Sequence, residues 1–237
     1  MEIFIGEFLG TALLLLLGNG SVANVLLQRS KGLAGGWIVI SSGWGFAVAL
    51  AVYCSAWLSG AHLNPAVTLG FALLGKTAWG AVPIYWFAQW LGAMAGSFLV
   101  WITYYAHWGQ TTDPTLKLLC FCTKPAIRHF PGNFLTELIA TAVLLLGVLV
   151  IYEPHNKMTP ALGPYMVGIV VFAIGLSLGG PTGYAINPAR DLGPRCMHAL
   201  LPIEGKGPSD WGYAWTPIVA PLIGGALGAY IYQMIFM

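Results

Sequence analysis

Six long apolar stretches constrain this chain more than any other feature. Backbone in lipid must satisfy its own polar groups, and a helix of about 20 residues does so while crossing the bilayer. The stretches lie at about 3–27, 34–58, 81–105, 134–152, 163–179 and 213–236. The 163–179 stretch is at the short end, and Glu2 and Glu7 replace the basic start of a cleaved signal peptide. We expect a multi-pass, all-α membrane protein.

The composition supports this class and excludes others. Only 8% of the 237 residues are charged, whereas a soluble domain carries about a quarter. The net charge of +2 is far from the basic excess of a nucleic-acid binder. The four cysteines, Cys54, Cys120, Cys122 and Cys196, have no convergent partners for a metal site. We expect no metal, no cofactor and no nucleic-acid partner.

The two halves of the chain repeat one another. Residues 59–68 align with 182–191, sharing a glycine and an Asn-Pro-Ala motif, and each motif follows the second apolar span of its half. Glu7 and Glu137 lie early in the first span of each half. Three spans per half make the second half enter the bilayer upside down, as an inverted repeat. We expect a single channel domain, 1–237, with repeats at about 1–110 and 133–237 joined by loop 106–132.

A short stretch follows each motif, at about 65–75 and 188–199. Asparagine followed by proline is a good helix start. About ten helical residues rise about 15 Å, half the thickness of the hydrocarbon. The pattern predicts two re-entrant half-helices that meet at the midplane, and non-helical backbone at that depth must line a cavity. The repeat therefore predicts a pore. A pair of simple turns between soluble helices is the alternative.

The doubled motif, Asn64-Pro65-Ala66 and Asn187-Pro188-Ala189, makes this chain resemble the aquaporin superfamily over nearly its whole length. Residues 59–68 and 187–195 resemble bacterial glycerol facilitators. The resemblance implies the aquaporin fold, passive conduction of glycerol with water, and exclusion of protons and ions. It further implies a homotetramer with one pore per subunit, in a bacterial cytoplasmic membrane.

The resemblance and the charge distribution imply opposite orientations of the chain in the membrane. The resemblance implies cytoplasmic termini, but the basic residues are then concentrated in the outer loops, against the positive-inside rule. These outer residues are Arg29, Lys31, Lys117, Lys124, Arg128 and Lys206. Within loop 106–132, Lys117, Lys124, Arg128 and His129 are interpreted as a solvated surface, and a border of the outer vestibule is the alternative.

The resemblance also implies a selectivity filter of Trp44, Gly175, Tyr184 and Arg190. Arg190 supplies a permanent cation, Trp44 and Tyr184 an aromatic corner, and Gly175 room for a carbon chain. Strict water channels usually have histidine at the Gly175 position. Glycerol facilitators most often have phenylalanine at the Tyr184 position, so the tyrosine hydroxyl would either narrow the ring or bond the solute. Gly175 and Gly179 could equally serve close helix packing, and Trp44 could face lipid.

Further roles follow from the resemblance. Carbonyl groups of two segments would line one wall of the pore: Gly60, Ala61 and His62, and Gly183, Tyr184 and Ala185. Glu7 and Glu137 would hydrogen-bond the irregular backbone rather than relay protons, and Asp191 would support the filter. A gating role for His62 stays an alternative.

Three competing functions remain. A water-only channel is disfavoured by Gly175. An ion-coupled transporter would need more titratable groups in the spans than Glu7 and Glu137. An intramembrane enzyme lacks any readable catalytic arrangement. Urea, dihydroxyacetone and small undissociated acids stay possible solutes besides glycerol and water.

Overall fold

A computed structural model describes all of residues 1–237, as helices and connecting segments. There are ten α-helices and no β-strand. The helices are α1 (Glu2–Leu26), α2 (Trp37–Ser59), α3 (Pro65–Leu73), α4 (Val82–Thr103), α5 (Tyr105–Trp108), α6 (Pro114–Leu119), α7 (Phe130–Ile151), α8 (Gly163–Leu178), α9 (Pro188–Leu200) and α10 (Trp211–Phe236).

Six of these helices correspond to the six apolar stretches. Helices α1, α2, α7 and α10 are long and apolar enough to cross a membrane. Helix α4 has 22 residues but carries buried Gln89 and Ser97 among its apolar side chains. Helix α8 has 16 residues and rises about 24 Å at 1.5 Å per residue. The expectation that 163–179 lies at the short end is confirmed.

Glycines allow the long helices to approach closely. A side chain at Gly92 or Gly96 of α4 would overlap backbone carbonyls of α1. A side chain at Gly224 or Gly228 of α10 would overlap carbonyls of α7 in the same way. Small residues at such interfaces let helices pack without a hydrophobic driving force from lipid. Helix α1 therefore packs against α4 as α7 packs against α10.

The two short helices, α3 and α9, begin side by side and pack across the molecule. The side chain of Asn64 caps α3 by accepting from Ala66 N (2.9 Å). Asn187 caps α9 by accepting from Ala189 N (3.0 Å) and Arg190 N (3.2 Å). Helix α3 packs against α10, and α9 packs against α4. Each half-helix therefore depends on the last helix of the other half.

Loop 106–132 is an ordered cap on the helices. It contains most of α5 and all of α6, which Asp113 caps through Thr115 N (2.7 Å). Lys117 is only 2% exposed, and its Nζ donates to the carbonyl of Glu204. The expectation of a solvated Lys117 is therefore wrong, because this ammonium satisfies a carbonyl of a loop distant in sequence. Asn19 Nδ2 of α1 donates to Phe121 O (3.2 Å) and so holds loop 106–132 against the helices.

Candidate functional site: a largely apolar cavity with a few polar groups

A cavity of about 480 Å³ lies among the long helices, and 19 of its 26 lining residues are hydrophobic. At one end it reaches exposed Lys76, Tyr152 and Pro154. The predicted site residues that line it are Trp44, Gly60, Ala61, His62, Asn64, Tyr184, Ala185, Asn187 and Arg190. The predicted residues outside its lining are Glu7, Pro65, Ala66, Glu137, Gly175, Gly183, Pro188, Ala189 and Asp191.

Irregular backbone precedes each half-helix, and the two segments have the same unusual conformation. Positive φ angles occur at Gly60 (83°), Ala61 (52°), Leu63 (53°), Gly183 (81°), Tyr184 (37°) and Ile186 (45°). A residue with a side chain held there costs about 1–3 kcal/mol unless its surroundings impose the conformation. Four of these six residues are not glycine, so the surrounding structure must hold both segments.

Two buried carboxylates hold these segments. Glu7 of α1 accepts from His62 N (2.9 Å) and Leu63 N (2.6 Å). Glu137 of α7 accepts from Ala185 N (2.9 Å) and Ile186 N (2.8 Å). Both glutamates are 0% exposed. Because these N–H groups bond inward to the carboxylates, the backbone segments are fixed along the cavity wall.

Each glutamate also has a hydroxyl partner, Ser59 for Glu7 and Thr182 for Glu137, and Glu7 has one more partner in Gln89. Ser59 Oγ donates to Glu7 Oε1 (2.6 Å), and Gln89 Nε2 donates to Oε2 (2.8 Å). Gln89 Nε2 also donates to Thr68 Oγ1 (3.0 Å). The first of the two segments is therefore the more heavily supported.

The same network favours a proton on Nδ1 of His62. The hydroxyl of Thr68 donates to Asn64 O (3.1 Å), so its oxygen accepts from His62 Nδ1 at 3.1 Å. The imidazole stacks on Tyr85, with ring centroids 4.4 Å apart. A proton on Nδ1 leaves the Nε2 lone pair free in a side chain that lines the cavity.

The two motif asparagines meet at the middle of the cavity. Asn64 Nδ2 donates to Ile186 O (2.7 Å), and Asn187 Nδ2 donates to Leu63 O (2.8 Å). Each amide therefore bonds the backbone of the other half, and each retains one N–H. The positive ends of the α3 and α9 dipoles, about half a charge each, converge at the same place.

Arg190 supplies a cation to the cavity lining. Its Cζ is 4.3 Å from the ring centroid of Trp44, within the range of a cation–π contact. The side chain is 7% exposed, and Nη1 has no hydrogen-bond partner. An unpaired, permanently charged donor in an apolar cavity suits the binding of neutral oxygen atoms and repels cations.

Asp191 faces away from the cavity. It accepts from Thr123 N (2.8 Å) and Thr123 Oγ1 (2.6 Å), and from Arg195 Nη2 (2.6 Å). Arg195 also donates to Ser209 O (2.8 Å). Sequence reasoning missed Thr123 and Arg195, although the four-residue spacing of Asp191 and Arg195 on one helix was a readable signal. This cluster ties loop 106–132 to the helix that carries Arg190.

Gly175 lies behind Tyr184 rather than on the cavity. A Cβ at Gly175 would lie 2.9 Å from both Cζ and Oη of Tyr184. The Tyr184 hydroxyl is buried, so it points toward α8 and not into the cavity. The ring, not the hydroxyl, therefore faces the space that a solute would occupy.

One carboxylate at the open end of the cavity is outside the helices. Tyr232 Oη donates to Glu153 Oε2 (2.5 Å). This hydrogen bond, with a second from His155, lowers the pKa of Glu153 below its ordinary value. The bond fastens the segment between α7 and α8 to α10.

Comparisons with known proteins give the family and the fold of this chain. The family model for the major intrinsic proteins matches residues 1–232. A probable glycerol uptake facilitator of Thermotoga maritima is 57% identical over 236 residues, covering 100% of both chains. The glycerol uptake facilitator of Bacillus subtilis is 50% identical, covering 100% of this chain and 85% of the relative. The X-ray structure of the Plasmodium falciparum aquaglyceroporin has a TM-score of 0.89 and 36% identity, covering 99% of this chain and 96% of the other. The fold class expected from the sequence, the aquaporin fold, is confirmed.

Proposed function

Because this chain belongs to the major intrinsic protein family, whose members are integral membrane channels, we propose that it conducts glycerol and water passively and excludes protons and ions. The observation that carries the proposal is a largely apolar cavity whose few polar lining groups include Asn64, Asn187 and Arg190. The relatives reported above are named facilitators, in agreement with the expectation that the protein is not an enzyme.

The filter would consist of Trp44, Tyr184 and Arg190, with Gly175 behind Tyr184. A polyol has a carbon edge and a hydroxyl edge. Its carbon edge would pack on the two aromatic rings, while its hydroxyls would accept from the guanidinium. Arg190 lines the cavity and its guanidinium donates no hydrogen bond within the protein, which supports this role.

At the midplane, too, the hydroxyl edge of the solute would contact polar groups and its carbon edge would contact apolar side chains. Carbonyls of 60–62 and 183–185 would accept from solute hydroxyls, and Asn64 and Asn187 would donate their remaining N–H groups. A cation would meet the Arg190 charge and the positive ends of two helices, without a carboxylate to offset them. Because Glu7 and Glu137 are occupied by backbone N–H groups, neither is available as a coupling site for an ion.

We also propose how the repeats, the subunits and the membrane are arranged. The matching φ angles and the reciprocal asparagine bonds support two inverted repeats at about 1–110 and 133–237 within one channel domain. We place the protein in a bacterial cytoplasmic membrane, as a homotetramer with cytoplasmic termini. An epitope at the C-terminus that antibody reaches in intact cells would refute that orientation.

Stopped-flow light scattering on proteoliposomes tests the function. We expect glycerol to enter much faster than through bare lipid, with a low activation energy and no effect of an uncoupler. Fast water with glycerol at the bare-lipid rate would favour the water-only alternative, and uncoupler sensitivity would favour a coupled transporter. Urea, dihydroxyacetone and small undissociated acids, measured in the same vesicles, would define the substrate range.

A further inference from the structure

The ring of Tyr184 occupies a slot on the surface of α8. Gly175 and Gly179, one turn apart, form its floor, because a Cβ at either position would lie within 2.9 Å of the ring. Trp37 of α2 closes one edge, with ring centroids 5.7 Å apart and an interplanar angle of 75°. Trp37 Nε1 donates to Gly175 O (2.7 Å), which fixes its own position. The slot leaves the Tyr184 ring one open side, toward the cavity.

Two buried hydroxyls meet at the bottom of this slot. Ser41 Oγ and Tyr184 Oη lie within 3.0 Å of the point where a Cβ of Gly175 would stand. Ser41 is 0% exposed and Tyr184 is 4% exposed, and neither hydroxyl forms a well-aligned hydrogen bond to any other group. A buried hydroxyl without a partner costs about 1–3 kcal/mol. Since each can donate and accept, a small rotation lets each satisfy the other.

We propose that Ser41 is a specificity-determining residue of this channel, because it pairs with the Tyr184 hydroxyl and keeps it out of the lumen. The inference rests on the proposed conduction of glycerol. Ser41 precedes Trp44 by three residues on α2, so the same helix face positions both aromatic rings of the filter. The pairing lets a tyrosine present the same apolar ring surface to a solute that phenylalanine would present.

The alternative position of the hydroxyl explains why the pairing affects selectivity. Without Ser41, the Tyr184 hydroxyl would need another hydrogen-bond partner. The Arg190 guanidinium lines the same cavity and its Nη1 has no partner in the protein. A Tyr184 hydroxyl turned toward Arg190 would extend into the space between the aromatic and cationic sides. Glycerol needs that space for its carbon chain, whereas a single water molecule needs less of it.

A double-mutant cycle tests the proposal, with the ratio of glycerol to water permeability as its readout. We expect Ser41→Ala to lower this ratio about fivefold, the factor that about 1 kcal/mol produces. Tyr184→Phe removes the hydroxyl that needs a partner, so we expect little change in the ratio. In the Tyr184→Phe background, Ser41→Ala should then have no further effect. Ser42→Ala is the matched control, because Ser42 Oγ donates only to Val39 O of its own helix (3.1 Å).

The outcomes separate this proposal from the proposed function. If wild-type protein passes no glycerol, the function fails whatever the variants do. If wild-type protein passes glycerol but Ser41→Ala acts equally with tyrosine or phenylalanine at 184, Ser41 only packs α2 and the proposal is overturned. An unchanged ratio in Ser41→Ala overturns it as well.

Discussion

Replacing Gly175 by alanine tests how far the aromatic side of the filter depends on a missing side chain. The new Cβ would lie 2.9 Å from Cζ and Oη of Tyr184 and 3.0 Å from Ser41 Oγ. Carbon atoms in good contact are about 3.5–4.0 Å apart, so the Tyr184 ring must move by more than half an ångström. Gly179 and Trp37 block its other sides. The ring therefore moves into the lumen.

The size of the effect follows from the overlap. Overpacking of this kind costs about 1–3 kcal/mol. If about 1.4 kcal/mol of that falls on the passage of the solute, glycerol permeability falls about tenfold. Water passes a narrower ring, so we expect its permeability to fall less than about twofold. A histidine at position 175 would displace the Tyr184 ring further into the lumen.

The assay is stopped-flow light scattering with both solutes in one proteoliposome preparation. Gly180→Ala is the matched control, because nothing lies within 4 Å of a Cβ at that position. Unchanged glycerol permeability in Gly175→Ala, or an equal fall for water and glycerol, would refute the reasoning.

Three other predictions concern the support of the pore. Glu7→Gln should lower the melting temperature in detergent more than Glu137→Gln, because Glu7 accepts from Gln89 in addition to a hydroxyl and two backbone N–H groups; the reverse order would contradict this. Asp191→Asn should destabilise the protein by about 3 kcal/mol, because it leaves a buried arginine charge unpaired; an unchanged melting temperature would count against it. Tyr232→Phe should speed hydrogen exchange in residues 153–162 at neutral pH, because Glu153 loses its hydroxyl donor. Since the pKa of Glu153 is lowered, its contribution is present above the ordinary carboxyl pKa and is lost as pH falls through the lowered value. The difference between variant and wild type should therefore shrink in acid, and a constant difference would contradict it.

The elements of this fold that depend on local sequence could be predicted, because their causes are local. Apolar stretches long enough to span a bilayer became α1, α2, α4, α7, α8 and α10 within a few residues. Asparagine followed by proline begins α3 and α9 because the side chain caps the helix and the ring suits its first turn. Neither effect requires knowledge of distant contacts.

The features that sequence reasoning missed depend on contacts between distant segments. The direction of the Tyr184 hydroxyl is determined by Gly175 of α8, by Gly179 directly after that helix and by Ser41 on α2. The burial of Lys117 depends on a carbonyl of residue 204. Lys206 donates to the carbonyls of His198 (2.7 Å), Ala199 (2.7 Å) and Leu201 (2.6 Å). The positions of these loop cations therefore have a structural reason that is separate from membrane orientation.

The reciprocal bonds between the two asparagine motifs have a consequence for the order of events during synthesis. They join residues 122 and 124 positions apart, and α3 packs on α10 of the other half as well as on α4 of its own half. When α3 leaves the ribosome, α10 does not yet exist. The Asn64 amide and the Leu63 carbonyl remain without their final partners, Ile186 and Asn187, until the second half is inserted. The first three long helices can therefore settle in the membrane early, whereas the route between them is assembled late and as one step.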